Sequence, residues 1–133
     1  MQTAVIVALV LHVLSGVFWA GSTFVLARTG GNQAARLFGP QMGAAVVAVA
    51  SGAVLWFLLH RGTPGIQERL LEIGAVSALI AAGVQGFGAR AARAVATAGA
   101  GATPADDRVA LTQRIAAALL ALTVICMAAA RYA

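Results

Sequence analysis

Long apolar stretches alternate with short groups of charged residues along this chain of 133 residues. A helix that crosses the hydrocarbon core of a bilayer, about 30 Å thick, needs roughly 20 residues. Four stretches without a charged residue match this length once flanking residues are added: 2–27, 37–60, 73–89 and 115–130. The pattern predicts a single all-α domain over residues 1–133, an integral membrane four-helix antiparallel bundle. Its helices are expected near 3–28, 40–60, 68–93 and 105–131.

Composition indicates a membrane protein and excludes several soluble classes. Hydrophobic residues make up 61% of the sequence and charged residues 10%, with a mean hydropathy of +0.91, whereas soluble domains are about 45–50% apolar. Cys126 is the single cysteine, which excludes an intramolecular disulfide and any multi-cysteine metal site within one chain. The sequence contains no lysine for an ATPase phosphate loop, and its four acids lie at predicted membrane edges, which disfavours a Ser-His-acid hydrolase.

Proline positions predict where three of the helices begin. Gly39-Pro40, Thr63-Pro64 and Thr103-Pro104 each place proline in a first turn, where its missing N–H would be unbonded in any case. Thr103 is a candidate N-cap, and acidic residues follow it in the first turn. The Ala/Gly-rich stretch 94–102 is the one plausible flexible linker.

Arginine positions predict the orientation of the bundle. All nine basic residues are arginine and lie singly between apolar runs, which is typical of membrane flanks and excludes a nucleic-acid-binding face. Three lie at the second connection and at the C-terminus: Arg61, Arg69 and Arg131. Six lie at the first and third connections: Arg28, Arg36, Arg90, Arg93, Arg108 and Arg114. Because arginine-rich loops stay in the cytoplasm, both termini are expected outside it.

Small residues at a spacing of four predict which helix faces pack closely. In membranes such residues let backbones approach each other, since lipid provides no hydrophobic drive between helices. The series are Ala8, His12, Gly16 and Ala20 in the first helix; Ala44, Ala48 and Gly52 in the second; Gly74, Ala78, Ala82 and Gly86 in the third; Ala117 and Ala121 in the fourth. They exceed what one short bundle needs, so we expect a homo-oligomer or a subunit of a larger membrane complex.

His12 is the candidate functional residue because it lies on the small-residue face of helix 1. At a rise of 1.5 Å per residue it is roughly 14 Å deep, near mid-membrane, where an ionisable group is a functional hypothesis by default. Ser51, Ser77 and Thr123 reach a similar depth. The residues leave three interpretations open: packing with a hydrogen bond to one of these hydroxyls, metal or haem ligation, and proton relay.

A second axial ligand for haem is harder to find in the sequence. His60 ends helix 2 beside Arg61, about 14 Å from the level of His12, so one chain cannot bracket an iron with both histidines. A bis-histidine site would need His12 from two chains. The other candidates for a second ligand are Cys126, Met127, Met42 and Gln85, each of which is also an ordinary packing residue.

The first helix carries a resemblance to known families. Leu11-His12, Trp19-Ala20-Gly21, Phe24 and Arg28 resemble the opening of the CopD-like copper-resistance membrane domain and of the HemJ-like protoporphyrinogen oxidase, both groups of small bacterial membrane proteins. The resemblance implies a bacterial inner-membrane location and His12 as a ligand of haem b, with copper as the second choice. It covers residues 11–28, and the membrane lysine that the HemJ-like group pairs with haem has no counterpart here.

Two functions of different classes follow from these features. The first is a membrane protein that binds haem b or a metal through His12 for redox or metal handling. The second is a non-catalytic subunit that supports or assembles a larger membrane complex. Enzymatic activity stays open in both cases.

Overall fold

The computed structural model describes residues 1–30, 33–60, 65–97 and 103–133, without the side chains of 91–92, 94–97 and 103–106. Four long helices follow one another along the chain. They are α1 (Gln2–Arg28), α2 (Ala34–Leu59), α3 (Ile66–Thr97) and α4 (Thr103–Ala130). All four are long and apolar enough to cross a membrane, so the chain is a four-span integral membrane protein.

The helices pack antiparallel, as the charge pattern predicted. The closest neighbours in space are α3 with α4 and α1 with α2, followed by α1 with α4. The contact between α2 and α3 is the slightest of the four neighbouring pairs. The predicted all-α antiparallel bundle is therefore confirmed, with its loosest seam between α2 and α3.

Helix α2 begins six residues earlier than the sequence pattern predicted. Gln33 precedes it in the left-handed region, with φ of 72°, and Pro40 lies inside the helix, not at its start. Proline at this position removes only the N–H that would bond to the carbonyl of Arg36. That loss falls within the first two turns, near the expected membrane surface, where water can satisfy a carbonyl. The start of α2 predicted from proline at residue 40 was therefore wrong.

The third connection is also shorter than predicted. Helix α3 continues to Thr97, so the first part of the predicted linker 94–102 is helical, while 98–102 lies outside the described residues. Helix α4 begins at Thr103 itself. The predicted cap by the Thr103 side chain lies outside the described side chains, and Thr63 and Pro64 lie outside the described residues.

The interior is built mostly from small and polar residues, with Trp19, Leu26 and Leu120 as large apolar exceptions, while most large apolar side chains point outward. Seven buried residues form the apolar core: Trp19, Ala45, Ala48, Ala78, Ala81, Ala116 and Leu120. Phe57 and Phe87 are 76% and 78% exposed. This is the reverse of a soluble bundle and suits a protein whose outer surface contacts lipid.

Glycines separate the packed faces of the bundle from its open ones. A Cβ added at Gly74 would lie 3.3 Å from Cβ of Cys126, and one added at Gly88 would lie 2.5 Å from Oγ1 of Thr112, so α3 and α4 approach closely at both levels. At Gly16 and Gly86 an added Cβ would meet nothing within 4 Å. These two members of the predicted small-residue series therefore do not pack within the chain.

Candidate functional site

His12 joins α1 to α2 near the middle of the bundle. Its Nδ1 lies 2.8 Å from the backbone carbonyl oxygen of Ala48, and since a carbonyl only accepts, Nδ1–H is the donor. The Ser51 hydroxyl lies 3.5 Å from the same nitrogen and itself bonds the carbonyl oxygens of Val47 and Ala48. The ring also packs on Gly52, where an added Cβ would lie 3.0 Å from Cε1 of His12.

The bond to Ala48 determines the tautomer of the neutral His12 ring. With the proton on Nδ1, the lone pair is on Nε2. The side chain is half-buried, and the backbone of α2 holds it in one orientation. Nε2 is thus the His12 atom that can accept a proton or bind a metal.

Of the hydroxyls expected near His12, Ser51 contacts its Nδ1 at 3.5 Å, and the nearer partner is the backbone carbonyl of Ala48 at 2.8 Å. The hydroxyl of Thr123 bonds to the carbonyl oxygens of Gly74 and Leu119, both at 3.0 Å. Within the described residues no hydrogen bond joins His12 to Ser77 or Thr123. Ala48 was a small-residue position in the sequence, and nothing in that pattern identified its carbonyl as the acceptor.

The candidates for a second ligand occupy packing positions. Cys126 is buried and packs with Met127 against Gly74, while Met42 packs against the apolar core. Gln85 takes part in a separate hydrogen-bond network, described below. In the described part of the chain, no group of three or more His, Cys, Asp or Glu side chains is placed to hold a metal ion.

His60 lies at the end of α2, far from His12. It follows the last helical residue, its backbone N–H donates to the carbonyl of Trp56 at 2.9 Å, and its ring stacks on the Trp56 ring with centroids 4.5 Å apart. His60 lies nine residues beyond Ser51 in α2, about 14 Å along the helix axis. The expected difference in depth between the two histidines is therefore present.

A buried polar cluster draws on all four helices, nearer the end that carries the first and third connections. We call this group the glutamine cluster: Trp19, Thr23, Gln41, Gln85 and Gln113. Each of the five side chains is at most 4% exposed. In hydrocarbon, polar groups need partners within the protein, so such a cluster holds the four helices in one register.

Gln85 is the centre of the glutamine cluster. Its Oε1 accepts from Nε1 of Trp19 at 2.7 Å, and its Nε2 donates to Oγ1 of Thr23 at 2.9 Å and to Oε1 of Gln113 at 3.1 Å. Both amide hydrogens and the carbonyl are thereby used. The partners lie on α1 and α4, so a single side chain of α3 binds both neighbouring and diagonal helices.

Gln41 completes the glutamine cluster but keeps one polar atom without a partner. Its Nε2 donates to Oγ1 of Thr23 at 3.1 Å and to Oγ of Ser22 at 3.2 Å. Both hydroxyls donate their own hydrogens to the carbonyl of Trp19, so they accept from Gln41, which sets the orientation of the amide. Oε1 of Gln41 is buried and has no partner among the described residues.

A cavity of about 140 Å³ adjoins the glutamine cluster between α2, α3 and α4. Gln85 and Gln113 line it together with small residues and Phe38. Arg93 also lines the cavity, with its guanidinium carbon 5.4 Å from the centroid of the Phe38 ring, a cation–π distance. The cavity is thus polar on one side and aromatic on another.

The sequence pattern identified only part of this arrangement. In the sequence, Gln85 was a candidate for a second ligand, and Trp19 belonged to the stretch that resembles known families. The structure places Trp19 in the core, where its N–H finds a glutamine. A usable signal was present, because glutamines inside three apolar spans are costly unless they bond to one another.

Comparison of this chain with protein-family models, with curated proteins and with solved structures finds no match. The resemblance over residues 11–28 therefore stays a prediction. What the protein binds has to be argued from its own side chains.

Proposed function

We propose that the protein binds haem b, or copper as the second choice, through Nε2 of His12. The observation that supports this is the 2.8 Å hydrogen bond from Nδ1–H of His12 to the carbonyl oxygen of Ala48. Histidines that bind metals almost always donate their other ring N–H to a carbonyl, a carboxylate or water, which sets the ring orientation and makes the ligand more basic.

The surroundings of His12 also suit a ligand. Gly52 leaves room for the ring against α2, and the half-buried side chain is not enclosed by the bundle. A shallow apolar groove between α1 and α2 passes beside His12, with its neighbours Leu11 and Ser51 in the lining.

One chain offers a single strong ligand at this depth. Bound haem would supply one-electron chemistry at its iron, and His12 would hold the group while Ala48 orients the imidazole. A six-coordinate bis-histidine site would take its second ligand from His12 of another copy. This arrangement agrees with the expectation of a homo-oligomer.

The test is the cofactor content of detergent-purified protein. We expect a Soret band with reducible haem peaks, or copper by elemental analysis, in the wild type. His12→Ala should lose the cofactor and keep its helical content, because losing a ligand affects binding more directly than folding. His60→Ala is the matched control and should retain the cofactor, since it lies at the wrong depth. A wild type without cofactor after expression with haem precursor and copper, or full occupancy in His12→Ala, would refute the proposal.

The second candidate is a non-catalytic subunit of a larger membrane complex. It is favoured by Gly16 and Gly86, which open to the outside of the chain and leave room for close approach of another helix. A colourless protein that co-purifies with defined membrane partners, and loses them on Gly16→Leu, would support this function over cofactor binding.

A further inference from the structure

The cavity between α2, α3 and α4 presents an unused hydrogen-bond donor. Gln113 lines it and is 4% exposed. Its Oε1 accepts from Gln85, while its Nε2 has no acceptor among the described residues. This N–H is therefore free to donate into the cavity. An occupant with a hydrogen-bond acceptor would give it a partner.

Cavity size restricts the occupant to about one six-membered ring. The volume is about 140 Å³, and a cavity of roughly 150 Å³ in another protein binds benzene. Ala35 and Ala89 form small parts of the wall, and Phe38 offers an aromatic surface. A ring with apolar faces and polar edges fits this lining.

Charge favours a neutral acceptor over an anion. Arg93 is the cationic group of the lining and is exposed, whereas the group beside Gln113 is the neutral amide of Gln85. An anion that lost its water next to this neutral amide would cost more than a carbonyl. The guanidinium of Arg93 already lies over the Phe38 ring. A ring carbonyl therefore matches the donor better than a carboxylate or phosphate does.

The bundle offers a route from the bilayer into this cavity. Helices α2 and α3 form the loosest neighbouring pair, and both contribute to the lining through Phe38 and Ala89. A molecule dissolved in the membrane could insert its ring between them and leave an apolar chain in the lipid.

We propose that this cavity binds the head group of a membrane-soluble single-ring carbonyl compound of the quinone class, with Nε2 of Gln113 donating to a ring carbonyl. The site shares only α2 with the contact between His12 and Ala48, and Phe38 lies ten residues before Ala48, about 15 Å along the helix axis. It does not depend on whether His12 binds a cofactor.

Trp19 gives a direct readout of binding. The chain has two tryptophans, so Trp56→Phe leaves Trp19 as the sole tryptophan, one hydrogen bond from Gln85 in the cavity wall. The purified Trp56→Phe protein in detergent is titrated with a short-chain benzoquinone that partitions into micelles. We expect a saturable quenching of Trp19 above the linear quenching that free quinone produces.

Three variants in the Trp56→Phe background test the site. Gln113→Leu should raise the dissociation constant about 3- to 10-fold, because it removes the binding free energy of one neutral hydrogen bond. Ala89→Leu should abolish saturable quenching by filling the cavity. Ala75→Leu is the matched control, because it makes the same change at an exposed position of α3, and it should bind as before.

Linear quenching alone in the Trp56→Phe protein would overturn the proposal, since it would mean a cavity that holds only water. A dissociation constant unchanged by Ala89→Leu, with helical content intact by circular dichroism, would overturn it as well. Ala89→Leu leaves the amides of the glutamine cluster unchanged, so the test with this variant does not depend on whether the Gln113→Leu protein folds.

Discussion

Replacing Gln85 with leucine tests whether the glutamine cluster holds the bundle together. The substitution keeps a side chain of similar size and removes three hydrogen bonds, to Trp19, Thr23 and Gln113. It leaves the buried indole N–H of Trp19 and the buried Oε1 of Gln113 without their partner. Thr23 keeps its bonds to Gln41 and to the carbonyl of Trp19.

Two estimates limit the size of the effect. Hydrogen bonds between membrane helices average about 0.6 kcal/mol in double-mutant cycles, which gives about 2 kcal/mol for three bonds. Two buried groups left without partners cost about 1–3 kcal/mol each, and the upper part of that range applies only if neither group finds a new partner. We expect the free energy of unfolding of Gln85→Leu to fall by about 2–4 kcal/mol.

The measurement is reversible unfolding in mixed detergent micelles, followed by the loss of helical circular dichroism. Gln67→Leu is the matched control, because Gln67 is on the same helix and exposed, and its effect should stay below about 0.5 kcal/mol. A Gln85→Leu protein as stable as the control would refute the view that this cluster stabilises the fold.

Two further predictions concern packing and orientation. Gly88→Ala should lower the free energy of unfolding by about 1–3 kcal/mol, because the new Cβ would lie 2.5 Å from the Thr112 side chain of α4. Gly86→Ala should be neutral or slightly stabilising, because its new Cβ would meet nothing within 4 Å. Unfolding titrations measure both variants, and equal effects would contradict the close contact of α3 and α4. The orientation is tested with single cysteines at Thr63 or Thr29 in a background without the native cysteine. The cysteine at Thr63 should react with an impermeant thiol reagent in intact cells, and the cysteine at Thr29 should not. The reverse labelling would mean that the orientation is inverted.

Helix number and class could be predicted because they depend on the local pattern of the chain. Charge-free stretches of membrane-spanning length define the helices, and three of the four starts lie within two residues of the prediction. The start of α2 was wrong because proline is compatible with the first turns as well as with position N1. The Gly39-Pro40 pair therefore marks the start of the helix only approximately.

Trp19 shows where the prediction of the site stopped. As a sequence position it was an aromatic residue in the stretch that resembles known families. Its hydrogen-bond partner, Oε1 of Gln85, lies on another helix, 66 residues further along the chain. The same holds for His12, whose acceptor is a backbone atom of Ala48. Every residue has a backbone carbonyl, so the residue types in the sequence do not indicate which carbonyl accepts the hydrogen bond from His12.

Hydropathy, span length and charge act locally, so the order of residues alone predicts a four-span helical membrane protein with one histidine deep in a span. Which polar atoms meet depends on the folded bundle: Nδ1 of His12 meets a carbonyl of α2, and three glutamines form a cluster with Trp19 and Thr23. Hydrogen bonds require donor and acceptor within about 3 Å and correctly directed. That condition depends on the rotation and register of whole helices, which the packing of small residues sets.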